Sequence, residues 1–226
     1  VPEALLQRGN CLFNLKQFAQ ALASYESVIA AKTSAAGGGA LQVQLVHNET
    51  THKILIEAEE FDRVYALALY QAGASALKLN QYALAREHYR EYIRDFPASQ
   101  YVPDAQFAIG WSYFYENEFD EAEGVFQAVI EEFDQREDLR EHALYLIGNC
   151  RYNRGDFQEA VSAFEEMIDR YAASTFTPPA LFKMGNAYQQ MARAETSPEA
   201  RQSLEMQSLK AFRQIVDKYR EFPDAD

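Results

Sequence analysis

The chain is short of positive charge: 21 Lys and Arg stand against 34 Asp and Glu, a net charge of −13 over 226 residues. That balance disfavours nucleic acid as a partner, because phosphates reward Lys and Arg. It disfavours an anionic membrane surface for the same reason. Long apolar runs are also missing. No stretch reaches the roughly 18 residues that a membrane span needs, so this segment should not insert directly into a bilayer. No signal peptide is visible. The chain opens on Val1 rather than Met, as a mature form or a fragment would, and its end, Tyr219 to Asp226, reads as the lead-in to a further repeat.

Cysteine is scarce. Cys11 and Cys150 each follow a glycine by two positions, at equivalent places three repeats apart. A stack advancing by roughly 10 Å per repeat keeps them from bridging, which needs Cα atoms within about 7 Å. Both are expected to be small buried hydrophobes. Catalytic constellations are lacking too. The histidines are His47, His52, His88 and His142; the first two share a segment, but no Cys or close carboxylate cluster joins them into a metal site. Asn48-Glu49-Thr50 matches a glycosylation sequon and carries weight only in a eukaryotic secretory setting. No glycine loop precedes a Lys-Ser or Lys-Thr pair. The expectation is a protein with no cofactor, no metal and no enzymatic activity.

What the chain does have is a repeat. A glycine at position i is answered by an aromatic at i+16: Gly9 and Tyr25, Gly73 and Tyr89, Gly110 and Phe126, Gly148 and Phe164. From Gly73 through Gly110 and Gly148 to Gly185 the spacings are 37, 38 and 37. Periods of this size mean stacked helix pairs, none of which can bury its apolar face alone. Five before each glycine sits alanine: Ala4, Ala68, Ala105, Ala143 and Ala180. Three before it sits a large side chain: Leu6, Tyr70, Phe107, Tyr145 and Phe182. Apolar residues recur at i, i+3 and i+4 on either side of short polar turns such as Glu116-Asn117-Glu118, so each repeat is two antiparallel helices. Glycine inside a helix costs about 1 kcal/mol against alanine, so its recurrence calls for close packing against the ring.

These residues resemble tetratricopeptide (TPR) repeats, with Gly at the eighth motif position, Ala at the twentieth and an aromatic at the twenty-fourth. The resemblance implies an all-α, right-handed superhelix of about five helix-turn-helix repeats, over residues 2–33, 66–99, 103–136, 141–174 and 178–221, as a single domain. The linker from Asp95 to Ala105, with Pro97 at the thirty-second motif position, is similar to a TPR subtype of bacterial envelope proteins. That subtype occurs in the Tol-Pal division coordinator and in the TPR lipoprotein of the outer-membrane assembly machine. It implies a periplasmic or outer-membrane-associated scaffold for other proteins, with a cytoplasmic location as the alternative. A peptide- or ligand-sensing regulatory domain of a larger effector is the rival reading. Oligomeric state stays open.

Two departures interrupt the pattern. The spacing from Gly9 to Gly73 is 64, which exceeds one period of 37 by 27; the excess falls at about 34–60. After Gly37-Gly38-Gly39, the residues Leu41, Val43 and Leu45 alternate with glutamines, and Lys53-Ile54-Leu55-Ile56-Glu57 follows. This reads as a β-hairpin flap, with an extra helix or a loop as alternatives. In the fifth repeat the spacing from Gly185 to Phe212 is 27 rather than 16, and Ser197-Pro198 marks a helix start. The last hairpin should protrude.

The TPR resemblance places a binding groove on the first helix of each repeat, at motif positions 2, 5, 9 and 12. Mapped here, the candidates are Tyr70, Leu77, Phe107, Trp111, Phe114, Tyr145, Asn149, Tyr152, Phe182, Asn186 and Gln189. Trp111 is singled out because its equivalents are Asn10, Ala74, Asn149 and Asn186, so packing does not demand a ring there. Chaperone-binding members clamp a terminal carboxylate with Lys and Asn. Here the asparagines remain, but large apolar groups replace the first lysine. A peptide or helical segment rich in apolar or aromatic residues suits this groove better. Residues 116–138 hold ten Asp or Glu and one Arg, either a solvated face or a patch for a basic partner.

Overall fold

A computed structural model describes residues 2–33, 41–47, 50–56 and 58–219. Gly37 to Gly39, Asn48, Glu49, Glu57 and residues 220–226 lie outside the described residues. Ten helices make up most of the described chain: α1 (Pro2–Asn14), α2 (Phe18–Thr33), α3 (Ala58–Lys78), α4 (Tyr82–Asp95), α5 (Val102–Tyr115), α6 (Phe119–Glu132), α7 (Glu137–Arg154), α8 (Phe157–Arg170), α9 (Thr177–Ala194) and α10 (Pro198–Lys218). Between α2 and α3, β1 (Leu41–His47) pairs antiparallel with β2 (Thr50–Ile56), with Leu41 opposite Ile56 and His47 opposite Thr50. The chain divides into two compact units, Val1–Ser112 and Tyr113–Asp226.

Within each unit, successive helices pack on one another. In the first, α1 packs on α2, α2 on α3, α3 on α4, and α1 also reaches α3. In the second, α6 to α10 pack in sequence and α7 also reaches α9. First helices of neighbouring pairs therefore touch, as a TPR stack requires. The glycines mark where they close on their rings. A Cβ added to Gly148 would sit 2.4 Å from the Phe164 ring, and one at Gly185 would sit 2.6 Å from Phe212. Gly9 against Tyr25 and Gly73 against Tyr89 repeat the arrangement. The alanines Ala68, Ala105, Ala143 and Ala180 are fully buried, whereas Ala4 on α1 is exposed.

The turns repeat as faithfully as the helices. Lys16, Asn80, Asn117 and Gly155, each seven positions past its glycine, adopt left-handed backbone with φ of 60°, 58°, 61° and 94°. This single reversed residue ends the first helix of the pair. Second helices end on an aromatic: Phe96, Phe133, Tyr171 and Tyr219 share φ near −121° to −130° and ψ of 46° to 57°. From the first three of these rings the linker continues alike, with the amide of Ser99, Arg136 or Ser174 donating to the aromatic's carbonyl.

The fifth pair departs because Ala192, at the turn position, stays helical. Alanine is a strong helix former and resists the left-handed region. The extra length goes into both helices, α9 running to Ala194 and α10 from Pro198 to Lys218, with a short turn between them. Ser197 caps α10, its Oγ accepting from the Ala200 amide at 3.3 Å, and Pro198 occupies the first helical position.

One expectation fails. Cys150 is buried but Cys11 is exposed. Cys150 lies on α7, which is packed by α6, α8 and α9, whereas α1 meets α2 and α3. Equivalent positions in a repeat are not equally enclosed.

Candidate functional site

The first helices of each pair carry the candidate residues, and each unit holds its own set. In the first unit, Tyr70 on α3 is half-buried at the centre of a ring cluster. Its centroid lies 5.5 Å from Tyr89, 5.6 Å from Tyr92 and 5.7 Å from Tyr101. Tyr70 is thus drawn into packing, and Leu77, two turns on, is half-exposed. On α5, Phe107 is buried, and Trp111 one turn later is half-exposed, edge-on to it at 6.5 Å. Phe107 forms the floor and Trp111 presents the surface.

In the second unit, Phe114 packs edge-on against Phe119 at 5.6 Å, bracing the α5–α6 turn. Tyr145 lies parallel to Phe176 at 5.1 Å, and His142 stacks on the same ring at 4.4 Å. Burial pulls the His142 pKa below its ordinary value, partly opposed by Glu141. Asn149 is buried, and its Nδ2 donates to the Tyr145 carbonyl at 2.9 Å, so its amide is spent inside the helix. Tyr152 meets Phe157 edge-on at 5.4 Å, and the Lys183 Nζ sits 4.5 Å above its ring. On α9, Phe182 is 40% exposed, Asn186 is half-exposed and Gln189 is exposed.

The structure therefore sorts the candidates. Trp111, Tyr152, Phe182, Asn186 and Gln189 offer accessible surface, while Phe107 and Asn149 belong to the interior. Sequence reasoning missed Phe176, His142 and Lys183. Lys183 had a signal: it lies two positions before Gly185, where the other repeats have Gln7, Gln71, Ala108 and Leu146. None of those is charged.

Some of the acidic run is used internally. Glu123 on α6 accepts from Arg151 Nε at 2.7 Å and pairs with Arg154 at 3.0 Å, and Asp120 also pairs with Arg154. A cavity of about 580 Å³ opens between α8, α9 and α10, with Leu181 and Met184 in its wall and Glu165, Asp169 and Lys210 around it. The Tyr188 hydroxyl donates to Glu165 there at 3.4 Å. Among the described residues no group of three His, Cys, Asp or Glu gathers as metal ligands, and no helix is long and apolar enough to cross a membrane.

Comparison with known proteins adds the following. The profile of the YfiO outer membrane lipoproteins matches residues 62–225, and a tetratricopeptide-repeat profile matches residues 3–31. No curated protein matches the sequence. Among solved structures, MamA (AMB-1) is similar at a TM-score of 0.60 and 14% identity, over 99% of this chain and 94% of that one. Apo RapI is similar at 0.70 and 14% identity, over 98% of this chain but only 54% of RapI. YrrB, described as a TPR protein with an unusual peptide-binding site, is similar at 0.57 and 17% identity, over 96% and 86%. At these identities the likeness shows the fold.

Proposed function

The chain belongs to the YfiO family of outer membrane lipoproteins, and we propose that it is a non-catalytic scaffold of the bacterial cell envelope, working in its assembly or maintenance. It binds segments of other proteins, as peptides or helices, on the aromatic faces of its first helices. In the first unit that face comprises Tyr70, Leu77 and Trp111, with Phe107 as the buried floor beneath Trp111. In the second it comprises Phe114, Tyr145, Tyr152, Phe182, Asn186 and Gln189, with Asn149 beneath them in the interior. The protein sits in the periplasm or against the outer membrane.

The observation that carries the binding role is Trp111. Trp111 is half-buried, so part of it stays accessible, at a position where four sister repeats manage with Asn or Ala, and rings of this kind anchor interfaces. Replacing Trp111 with Ala should weaken a partner captured from an envelope extract by about 2 kcal/mol, roughly 30-fold in Kd. An unchanged Kd removes Trp111 from the interface, and partners found solely in cytosol end the envelope assignment.

A sensing role has one favouring observation: a Rap conjugation gene regulator bound to its Phr* peptide is similar over 97% of this chain, at a TM-score of 0.54. The chain spans 53% of that regulator. An effector domain in the same reading frame would support sensing; a lipidation signal would support the scaffold.

A further inference from the structure

We propose that the face of α7 and α9 around Lys183 receives the carboxylate of an acidic side chain, flanked by apolar residues, within a partner segment. The inference rests on the reading of these helix faces as a binding surface and names the chemistry that the surface selects.

Lys183 is partly buried and lies over a ring. Five arginines of the second unit have carboxylates beside them: Arg136 has Asp138, Arg140 has Glu137, Arg151 has Glu123, Arg154 has Asp156 and Arg170 has Glu166. Among the described residues no carboxylate pairs with Lys183. Burial alone lowers its pKa, with no charged neighbour contributing. Acids outnumber bases 34 to 21 in this protein, yet the Lys183 ammonium faces a ring rather than a carboxylate.

The surroundings define the ligand. The ammonium is held over the Tyr152 ring at 4.5 Å. A cation–π contact fixes its position and leaves N–H donors unused, since an ammonium carries three. Those donors and the full charge are complementary to a carboxylate, whose hydrogen bonds to an ammonium are among the strong ones. On α9, Asn186 follows the cation about one turn on the same side, and the exposed Phe182 stands next to it in sequence, about a quarter-turn round the helix. A ligand crossing here finds contact before and after the charge. An internal acidic side chain with apolar neighbours covers that surface, whereas a chain terminus would leave one side bare. The fold does not require the lysine, because equivalent positions hold Gln7, Gln71, Ala108 and Leu146.

The test is a titration of the full chain with short, fluorescently labelled peptides, acetylated and amidated, with aromatics flanking a central Glu, Gln or Lys. A further Gln peptide keeps a free C-terminal carboxylate. The expected result is about tenfold tighter binding of Glu over Gln, diminishing with salt. Lys183→Met should abolish that preference while keeping the aromatic-dependent binding. Lys183→Arg should keep the preference, and Lys183→Glu should transfer it to the Lys peptide. Unchanged thermal unfolding of the variants establishes that they fold. Aromatic peptides that bind wild type without discriminating Glu from Gln, or Lys183→Met that discriminates as well as wild type, overturn the inference and leave the binding surface standing. A free terminus preferred over Glu also overturns it. Failure of every peptide to bind overturns the surface and the inference together.

Discussion

A handful of side chains decide how closely the helices approach. Gly148 leaves no room for a methyl group, because Phe164 is fully buried and its ring cannot swing away. Gly148→Ala should cost about 1–3 kcal/mol through overpacking, despite alanine's better helix propensity; a urea midpoint equal to wild type would refute the close contact. His88 is a second decisive residue. It is buried on α4, and neither ring nitrogen has a hydrogen-bond partner. Burial lowers its pKa, against the opposing influence of Glu26, Glu87 and Glu91. An unfolded histidine titrates near about 6.5. As pH falls below that, the unfolded chain takes up the proton first, so stability drops until the folded-state pKa is passed and then levels off. Urea unfolding at about pH 7 and about pH 5.5 should show this loss. His88→Leu should flatten it, although His142, shifted in the same direction, retains a share. A wild-type midpoint unaffected over this window contradicts the neutral, buried state.

Elements were legible in the sequence to the extent that they rest on spacing. The fixed interval between glycine and ring is a contact that packing imposes, and the structure reproduces it at Gly9, Gly73 and Gly148. The Ser197 cap was readable because Ser and Pro have fixed chemistry at a helix start. Backbone reversal was not readable, because Lys16 bears no sign of a left-handed conformation that Asn80 and Asn117 adopt more naturally. Ordinary side chains are strained there by roughly 1–2 kcal/mol, and asparagine by less. Lys16→Asn should therefore raise the unfolding midpoint by a fraction of that energy; a fall would show that the Lys16 side chain contributes something its backbone conceals. Candidate-site reading had a parallel blind spot. It followed the motif positions of a family groove and so named Asn149, whose amide is spent on its own helix. It passed over Lys183, which stands outside those positions, and Phe176, which arrives from the preceding linker.

On the scale of the molecule, both units are built from contacts between helices adjacent in the chain or one pair apart. Their cores form along the direction of the sequence. In the second unit, a continuous buried cluster links Leu144 on α7, Phe164 and Met167 on α8, Met184 and Tyr188 on α9, and Ala211 and Ile215 on α10. Charge is distributed differently: ion pairs join α6 to α7, while most of the −13 remains for solvent or partners. A surplus of that size speeds encounter with basic surfaces and weakens with ionic strength.

That neighbour-on-neighbour packing has a kinetic consequence. Closing a short turn forfeits little chain entropy, so each new helix finds its resting place without waiting for a distant strand. The dominant refolding phase after dilution from urea should be over in about milliseconds; a main phase lasting seconds would contradict it. A ribosome delivering this chain could hand over finished structure almost turn by turn, each pair serving as the template on which the next one settles.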